Sequence, residues 1–258
     1  MKIVVLMKQV ANKDAVLRVG KDEKWIEEAD MAYQTNESDG YALEEALRMK
    51  EAKGEGEVIV CSLGPQRTKT VIKDALARGA NRAIHIVVED TSILSPFIIA
   101  KTIAEAIKEE NPDLVMTGLQ SDDNGYGQTG VILAELLGIP HATLIIEIDR
   151  NNPELRVKRE LESGWYQWFT YQTPALLSIQ SGISQIRYAG LKGIMEAKKK
   201  EIREVTPAAE TLSHNFKQKI EKVYLPLKLK QTQILGNGDA KAGAVELVEK
   251  LRTEVRVI

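Results

Sequence analysis

The sequence predicts an α/β protein with an open, mostly parallel sheet, flanking helices and a C-terminal extension arm. Short apolar runs such as Ile3–Met7 and Leu114–Gly118 alternate with helical patterns of about 10–15 residues, which is typical of βαβ units. These runs contain no charged side chains, as expected for parallel strands that are buried on both faces.

Each element of this sheet follows from a local pattern. Apolar side chains at helical spacing begin after Ser38 or Asp39, either of which can cap a helix, and Gly54 can end that helix. In chain order, the predicted elements are strand Ile3–Met7, a helix from Ser38 to Gly54, strand Glu57–Leu63, helix Arg67–Arg78, strand Ala83–Val88, helix Ser95–Glu110, strand Leu114–Gly118, helix Gly127–Leu137 and strand Thr143–Ile148.

The pattern changes after residue 150. Leu155–Leu161 and Trp165–Tyr171 alternate around Ser163-Gly164 and predict a hairpin. A strand over Pro174–Ile179 and a basic helix over Arg187–Arg203 follow. We expect an α/β domain over residues 1–204, with the hairpin and a partner-recognition loop at about 150–190. Residues 205–258 form an arm with one helical run, Ala240–Lys250, and too little apolar material for a core of its own.

Composition excludes several classes of protein. Lys and Arg number 35, Asp and Glu number 37, and the net charge of -2 argues against a nucleic-acid binder. Cys61 is the only cysteine, so an intrachain disulfide and a cysteine-based metal cluster are excluded. No apolar run approaches the roughly 18 residues of a membrane span, and no signal-peptide pattern is present. We expect a cytoplasmic protein without a metal site.

The most unusual segment runs from Gly118 to Gly130. Glycines, amides and hydroxyls lead directly into a helix, whose free N–H groups and dipole suit a phosphate. An ordinary turn with a helix cap explains the same residues, because no Walker-A lysine and no GxGxxG pattern is present. Asp122 and Asp123 would repel a phosphate and suit ribose hydroxyls better. Asn36 has the same two interpretations, as a helix cap or as a ligand contact.

No set of residues indicates catalysis. The sequence has no G-x-S-x-G elbow and no histidine with an obvious acidic partner. The carboxylate pair Glu44-Glu45 fits a solvated helix face better than acid–base chemistry. Cys61 lies inside a predicted strand and fits a buried, small apolar residue. We therefore predict no catalytic residues.

Three segments in the C-terminal half carry a family resemblance. Val157–Gly164, Thr173–Ser178 and Arg187–Lys200 resemble, in order and spacing, the β subunit of electron transfer flavoproteins. Upstream, Lys8-Gln9-Val10 and the segment from Asp122 to Gly130 fall where that family has similar residues. The resemblance covers about residues 1–204 well and the arm weakly.

The resemblance implies an electron carrier rather than an enzyme. Members of the family are heterodimers whose α subunit holds most of the FAD, while the β subunit holds a structural AMP in an adenine-nucleotide-binding, Rossmann-like domain. They take electrons from acyl-CoA dehydrogenase-type flavoenzymes and pass them to a membrane quinone oxidoreductase or another acceptor. Two alternatives stay open: a bifurcating member with a second FAD in the β site, and a nucleotide-binding regulatory module.

The resemblance also implies site residues by position. The implied nucleotide contacts are Leu6, Asn36, Ser38, Asp39, Ser62, Leu63, Asp122, Asp123, Asn124, Gly125, Gly127, Gln128, Thr129, Gly130 and Val131. The implied partner-recognition residues are Ser181, Ile183, Arg187 and Tyr188. The family often has an aromatic residue near the flavin at the position of Ser38, and some members have a tyrosine near the flavin at that of Lys13, so this chain departs from the pattern there.

Overall fold

The computed structural model describes residues 1–92, 94–149, 154–212, 218, 220–227 and 232–258. The strands are β1 (Lys2–Leu6), β2 (Gln9–Ala11), β3 (Tyr33–Thr35), β4 (Glu57–Gly64), β5 (Arg82–Val87), β6 (Leu114–Gly118), β7 (His141–Asp149), β8 (Leu155–Glu160), β9 (Tyr166–Tyr171), β10 (Ala175–Ile179) and β11 (Ile202–Val205). The helices are α1 (Glu37–Lys53), α2 (Lys69–Arg78), α3 (Pro96–Ile107), α4 (Thr129–Leu137), α5 (Leu191–Ala197), α6 (Ala209–Leu212) and α7 (Ala240–Lys250). Among these helices, none is long and apolar enough to cross a membrane.

In the described part of the chain, nine strands form one sheet in the order β11-β5-β4-β1-β6-β10-β7-β8-β9. All neighbours are parallel except β7 with β8 and β8 with β9. The predicted open, mostly parallel α/β sheet is therefore confirmed. The chain moves from β1 through β4 to β5 on one side and then returns to place β6 on the other side of β1. This reversal of strand order lies between β1 and β6.

Two apolar cores cover the two faces of the sheet. Ile3 and Val5 pack into the first core with residues of α1 and α2, whereas Val4 and Leu6 pack into the second core with residues of α3 and α4. Alternate side chains of one strand thus enter opposite layers, and all four are buried. Burial on both faces explains why Ile3–Leu6 of β1 is an uninterrupted apolar run.

The helices begin later or earlier than their sequence patterns predict. Asn36 rather than Ser38 is the N-cap residue of α1, and Gly54 ends the helix in the left-handed conformation at φ 72°. The helix α4 begins at Thr129 rather than Gly127, because Gly127 has a φ of 61°, which is outside the helical region.

The predicted basic helix Arg187–Arg203 is wrong over most of its length. Only Leu191–Ala197 is helical, and Ile202–Val205 forms the edge strand β11 beside β5. The Lys200 ammonium donates to the carbonyl oxygens of Leu76 and Ala80 at 2.8 and 2.7 Å, at the end of α2. These bonds hold Lys200 at the C-terminal end of α2, and the residues that follow pair with the open edge of β5.

The interpretation of Glu44 and Glu45 as a solvated pair is also wrong. Their exposed fractions are 3% and 0%. Glu44 accepts hydrogen bonds from the guanidinium groups of Arg48 and Arg187, at 2.6 and 2.9 Å. Because these cations come from the next helical turn and from a distant segment, the helical pattern of α1 alone does not reveal the burial.

The hairpin and the helix of the arm agree with their predictions. The strands β8 and β9 pair in antiparallel fashion across a turn at Glu162–Gly164, and α7 spans Ala240–Lys250. The start of the predicted hairpin region, residues 150–153, lies outside the described residues. By internal contacts the chain divides into two compact units, Met1–Val223 and Tyr224–Ile258. Both β11 and α6 belong to the first unit.

We expect Gly193→Ala to destabilise the protein by about 1–3 kcal/mol, because a Cβ at Gly193 would collide with the Ala77 carbonyl of α2. Helix propensity alone predicts the opposite sign, since alanine favours a helix interior over glycine. Urea unfolding measures the change. Gly190→Ala is the control, because no atom lies within 4 Å of a Cβ there. Equal stability of the two variants would contradict close packing of α5 on α2.

Candidate functional site

The candidate site lies at the carboxyl ends of β1 and β6. Ligands of open α/β sheets bind where the strand order reverses, and here that point lies between these two strands. The segment after β1 leads toward α1, and the segment after β6 leads into α4. We call the space between these strand ends the crevice, and the segment Leu119–Gln128 the crevice loop.

A buried carboxylate joins the two strand ends. Asp39, in the first turn of α1, accepts the backbone N–H of Lys8 at 2.8 Å and that of Gly118 at 2.9 Å. Burial raises the pKa of Asp39 to about 6, although hydrogen bonds from Lys8, Asn36 and Gly118 act in the opposite direction. A side chain at position 118 would overlap Ser38 and Asp39, so only glycine allows this approach.

Asn36 and Ser38 hold the crevice loop. The Asn36 amide donates to the carbonyl of Gln120 at 3.0 Å, and its oxygen accepts the backbone N–H of Asp122 at 2.9 Å. The Ser38 hydroxyl donates to the same Gln120 carbonyl at 2.8 Å. In addition, the Asp122 carboxylate accepts the backbone N–H of Glu37 at 3.1 Å. The crevice loop therefore supplies a cap for α1, which has no side-chain cap from its own N-cap residue.

The end of β4 is joined to β1 in the same way. The Ser62 hydroxyl donates to the carbonyl of Met7 at 2.6 Å and is buried. Leu6 is buried in the second core, and Leu63 packs against that core while half-exposed. Cys61 is buried, as predicted, and burial raises the pKa of its thiol to about 12, so it is no nucleophile near neutral pH.

The N-terminus of α4 opens into the crevice loop without a side-chain cap. The first intrahelical hydrogen bond runs from the Ile132 N–H to the Gln128 carbonyl, so the N–H groups of the first turn have no intrahelical acceptor. Gly125 and Gly127 adopt left-handed conformations that let the loop turn into this helix. Gly130 lies close to the hydroxyls of Thr117 and Ser178, which bond each other at 3.0 Å.

These contacts bring most of the predicted site residues together. Asn36 to Asp39 meet the segment Asp122 to Val131 at the crevice, while Leu6 and Ser62 with Leu63 lie near the carboxyl ends of the adjacent strands β1 and β4. Sequence reasoning missed Lys8 as a site residue. Its ammonium lies 2.7 Å from the Asp123 carboxylate and 3.4 Å from the Ser121 hydroxyl. A lysine directly after the first buried strand was the available signal.

The predicted partner-recognition residues differ in their surroundings. Ser181 is exposed, whereas Ile183 is half-buried and packs against the first core. Arg187 turns inward, where its guanidinium binds the carboxylates of Glu44 and Glu51. Burial opposes the charge of Glu44, but the hydrogen bonds from Arg187 and Arg48 outweigh it and lower the pKa of Glu44.

An exposed apolar stripe follows Arg187. Tyr188, Leu191 and Met195 are 95%, 84% and 62% exposed. Sequence reasoning missed Leu191 and Met195, which are four residues apart on one face of α5, while Tyr188 precedes the helix. Lys192, whose side chain is 90% exposed, borders the stripe. An apolar strip with a basic border is typical of a surface that contacts another protein.

Comparison with known proteins identifies the family. The family model described as electron transfer flavoprotein domain matches residues 24–210. The chain is 34% identical over 254 residues to the electron transfer flavoprotein subunit beta of Methylophilus methylotrophus, across 95% of this chain and 96% of that one. It is 36% identical over 262 residues to the mitochondrial subunit beta of Arabidopsis thaliana, across 100% of both chains. The chain belongs to the electron transfer flavoprotein β-subunit family.

Human electron transfer flavoprotein subunit beta is also similar, with 32% identity over 209 residues, across 80% of this chain and 82% of that one. The matched domain, residues 24–210, contains α1, β6, the crevice loop and the exposed stripe. The crevice loop and the stripe are therefore parts of the matched electron transfer flavoprotein domain, whereas β1 and Lys8 precede it, and the resemblance that the sequence segments carry is confirmed.

Titration of Asp39 gives this site a testable pH dependence. A carboxyl whose pKa rises from 3.8 to about 6 on folding stabilises the fold fully below pH 3.8 and loses that contribution as the pH rises through 6. At about 1.4 kcal/mol per pH unit, the loss is roughly 3 kcal/mol. We expect the stability of the wild type relative to Asp39→Asn to fall between pH 4 and pH 7.

Urea unfolding at several pH values measures this difference, with Asp14→Asn, in an exposed loop, as the control. Asp39→Asn also turns an amide donor toward a backbone N–H, which we expect to cost about 1–3 kcal/mol at every pH. A difference that stays constant from pH 4 to pH 7 would show that Asp39 does not titrate in this range.

Proposed function

We propose that this chain is the β subunit of a heterodimeric electron transfer flavoprotein and holds a structural AMP in the crevice. The α subunit holds most of the FAD, which supplies the redox chemistry. The heterodimer takes electrons from an acyl-CoA dehydrogenase-type flavoenzyme and delivers them to a membrane quinone oxidoreductase or another acceptor. The chain itself turns over no substrate. The observation that carries the proposal is the uncapped N-terminus of α4 at the strand-order reversal of a family domain.

The residues of the crevice fit an adenine nucleotide with one phosphate. The free N–H groups of Thr129, Gly130 and Val131 suit the phosphate, and the Thr129 hydroxyl is a further donor. No atom lies within 4 Å of a Cβ at Gly125, so the loop leaves space beside its backbone. The Gln128 amide precedes the helix and can donate as well.

The acidic residues of the crevice loop do not oppose a phosphate. Asp122 caps α1 through the Glu37 N–H, and Asp123 pairs with the Lys8 ammonium. The charge of Asp123 is paired with a cation, and that of Asp122 lies at the N-terminus of α1, so the repulsion that the sequence suggested is reduced. Ribose hydroxyls are the expected partners of the remaining carboxylate oxygens and of Asn124.

Two other functions make different predictions about the bound nucleotide and the partner. A bifurcating member would hold a second FAD in the crevice. A nucleotide-binding regulatory module would fold and bind without a flavoprotein partner. Ser38 is 5% exposed and bonds Gln120, so it does not replace the aromatic residue that many relatives carry near the flavin.

The exposed stripe is the proposed contact for the electron-donating flavoenzyme. The segment with Ser181 and Ile183 precedes it, and Arg187 anchors that segment to α1 through Glu44. Because Ile183 packs on the core, Leu191 is the better candidate for the residue that enters a partner's pocket.

The arm is the proposed docking element for the α subunit. The helix α7 has no buried residue, and it exposes Val245, Leu247 and Val248. The chain end adds the exposed Val257 and Ile258. Apolar side chains of this number on a small unit indicate a surface that a partner covers.

The proposal is tested by purifying the chain with its co-expressed α subunit, denaturing the complex and identifying the released nucleotides. We expect one AMP and one FAD per heterodimer. Two FAD would support the bifurcating alternative, and no nucleotide beyond a single FAD would overturn the AMP assignment.

We expect Thr129→Val to weaken AMP binding by about tenfold or more, because a hydrogen bond to a charged phosphate contributes about 1.5–3 kcal/mol. The variant keeps the shape of threonine, so its melting temperature without AMP stays at the wild-type value, while the increase on adding AMP becomes smaller. Calorimetric titration and thermal melts measure both quantities. Thr91→Val, in the loop after β5, is the control. Unchanged AMP affinity would place the phosphate elsewhere.

We expect Leu191→Glu to lower the rate of dehydrogenase-dependent flavin reduction by about fivefold or more when the dehydrogenase is at limiting concentration. The reason is that interface anchors commonly contribute over 1 kcal/mol to binding. FAD and AMP contents should not change. Stopped-flow reduction of the heterodimer measures the rate, and Val16→Glu, at a site that is 80% exposed, is the control. If Ile183→Ser lowers the rate and Leu191→Glu does not, the anchor is the earlier residue.

A further inference from the structure

Lys8 is held in place at the mouth of the crevice. Its backbone N–H donates to Asp39 at 2.8 Å, and its carbonyl accepts the N–H of Asn36 at 2.9 Å. Both bonds connect it to the start of α1. With its backbone fixed on two sides, the Lys8 side chain crosses from the end of β1 to the crevice loop, where it meets Asp123 and Ser121.

The Asp123 carboxylate is held in position to pair with the Lys8 ammonium. Its carboxylate also accepts the backbone N–H of Asn124 at 2.7 Å, which fixes its orientation. Burial opposes the charge of Asp123, but the Lys8 ammonium and the hydrogen bonds from Lys8, Ser121 and Asn124 outweigh it and lower the carboxyl pKa. The side chains of Lys8 and Asp123 are 36% and 30% exposed, so the pair lies at the boundary between crevice and solvent.

The pair joins the end of β1 to the crevice loop. Two further hydrogen bonds, between Asp39 and Gly118 and between Asn36 and Gln120, come from α1 and its N-cap residue, are partly buried and involve the backbone. Beyond Asp123, the loop residues through Gln128 are exposed, up to the uncapped α4. Moving Asp123 away from the end of β1 requires separation of its ion pair with Lys8, while the hydrogen bonds of Asp39 and Asn36 stay closed.

We propose that Lys8 is a positioning residue that retains the nucleotide: its ion pair with Asp123 clasps the crevice loop closed and slows nucleotide release. This inference rests on the proposed function, because it assumes that the crevice holds the nucleotide. A clasp acts on the rate of release. A lysine that contacted the phosphate directly would also raise the rate at which the nucleotide associates, and it would make that rate more dependent on salt.

The test uses the heterodimer loaded with radiolabelled AMP and measures release into excess unlabelled AMP. We expect Lys8→Met and Asp123→Asn each to release AMP about two- to fivefold faster, the range for a partly exposed ion pair. The double variant should release it no faster than either single variant, since both remove one interaction. Lys8→Arg should restore slow release, and Lys53→Met, at the far end of α1, is the control.

Salt gives a second readout that a general loss of structure would not produce. Raising the ionic strength should speed release from the wild type and leave Lys8→Met unchanged, because only the wild type has the pair to screen. Wild-type release rates in Lys8→Met, with AMP bound, would overturn the clasp and leave the proposed function intact. Slower association with unchanged release would assign Lys8 to the phosphate instead. A wild-type heterodimer without AMP would overturn the proposed function itself, and the clasp with it.

Discussion

The Asp39 carboxylate is the interaction on which the site depends. It accepts the N–H groups of Lys8 and Gly118, and so it joins the ends of β1 and β6 at the point where the strand order reverses. Burying a carboxylate is unfavourable, which is why its pKa rises to about 6. The fold tolerates this cost because the two N–H groups would otherwise end a strand without an acceptor. The glycine at position 118 follows from the same contact, since no side chain fits between β6 and α1.

Helix α1 contacts both the crevice loop and the segment that precedes the exposed stripe. Its first turn holds the crevice loop through Asn36, and its middle holds the segment before the exposed stripe through Glu44 and Arg187. In both places, hydrogen bonds join α1 to a segment that has little regular structure of its own. Loops in such positions depend on a rigid element for their geometry. One helix thus holds both the crevice loop and the segment before the exposed stripe.

Sequence patterns predicted the sheet well because burial acts on each strand locally. The run Ile3–Met7 must be apolar on both sides, since its alternate residues enter two different cores. The sequence predictions were wrong where the conformation of a residue depends on a distant segment of the same chain. The residues of β11 have no strong strand pattern, and they become a strand because β5 offers an unpaired edge. The helical pattern predicts that Glu44 is exposed, but in the structure it is buried and hydrogen-bonded to Arg187.

The sequence by itself determined the α/β class, the position of the glycine-rich loop and the family, because apolar periodicity and ordered motifs are written along the chain. Only the tertiary structure decided what the polar residues of the site do. Asp39 meets residues 31 and 79 positions away, and Lys8 meets one 115 positions away. Such pairs depend on which strands become neighbours. Strand order follows from packing the whole sheet between two layers of helices, and no local pattern encodes it.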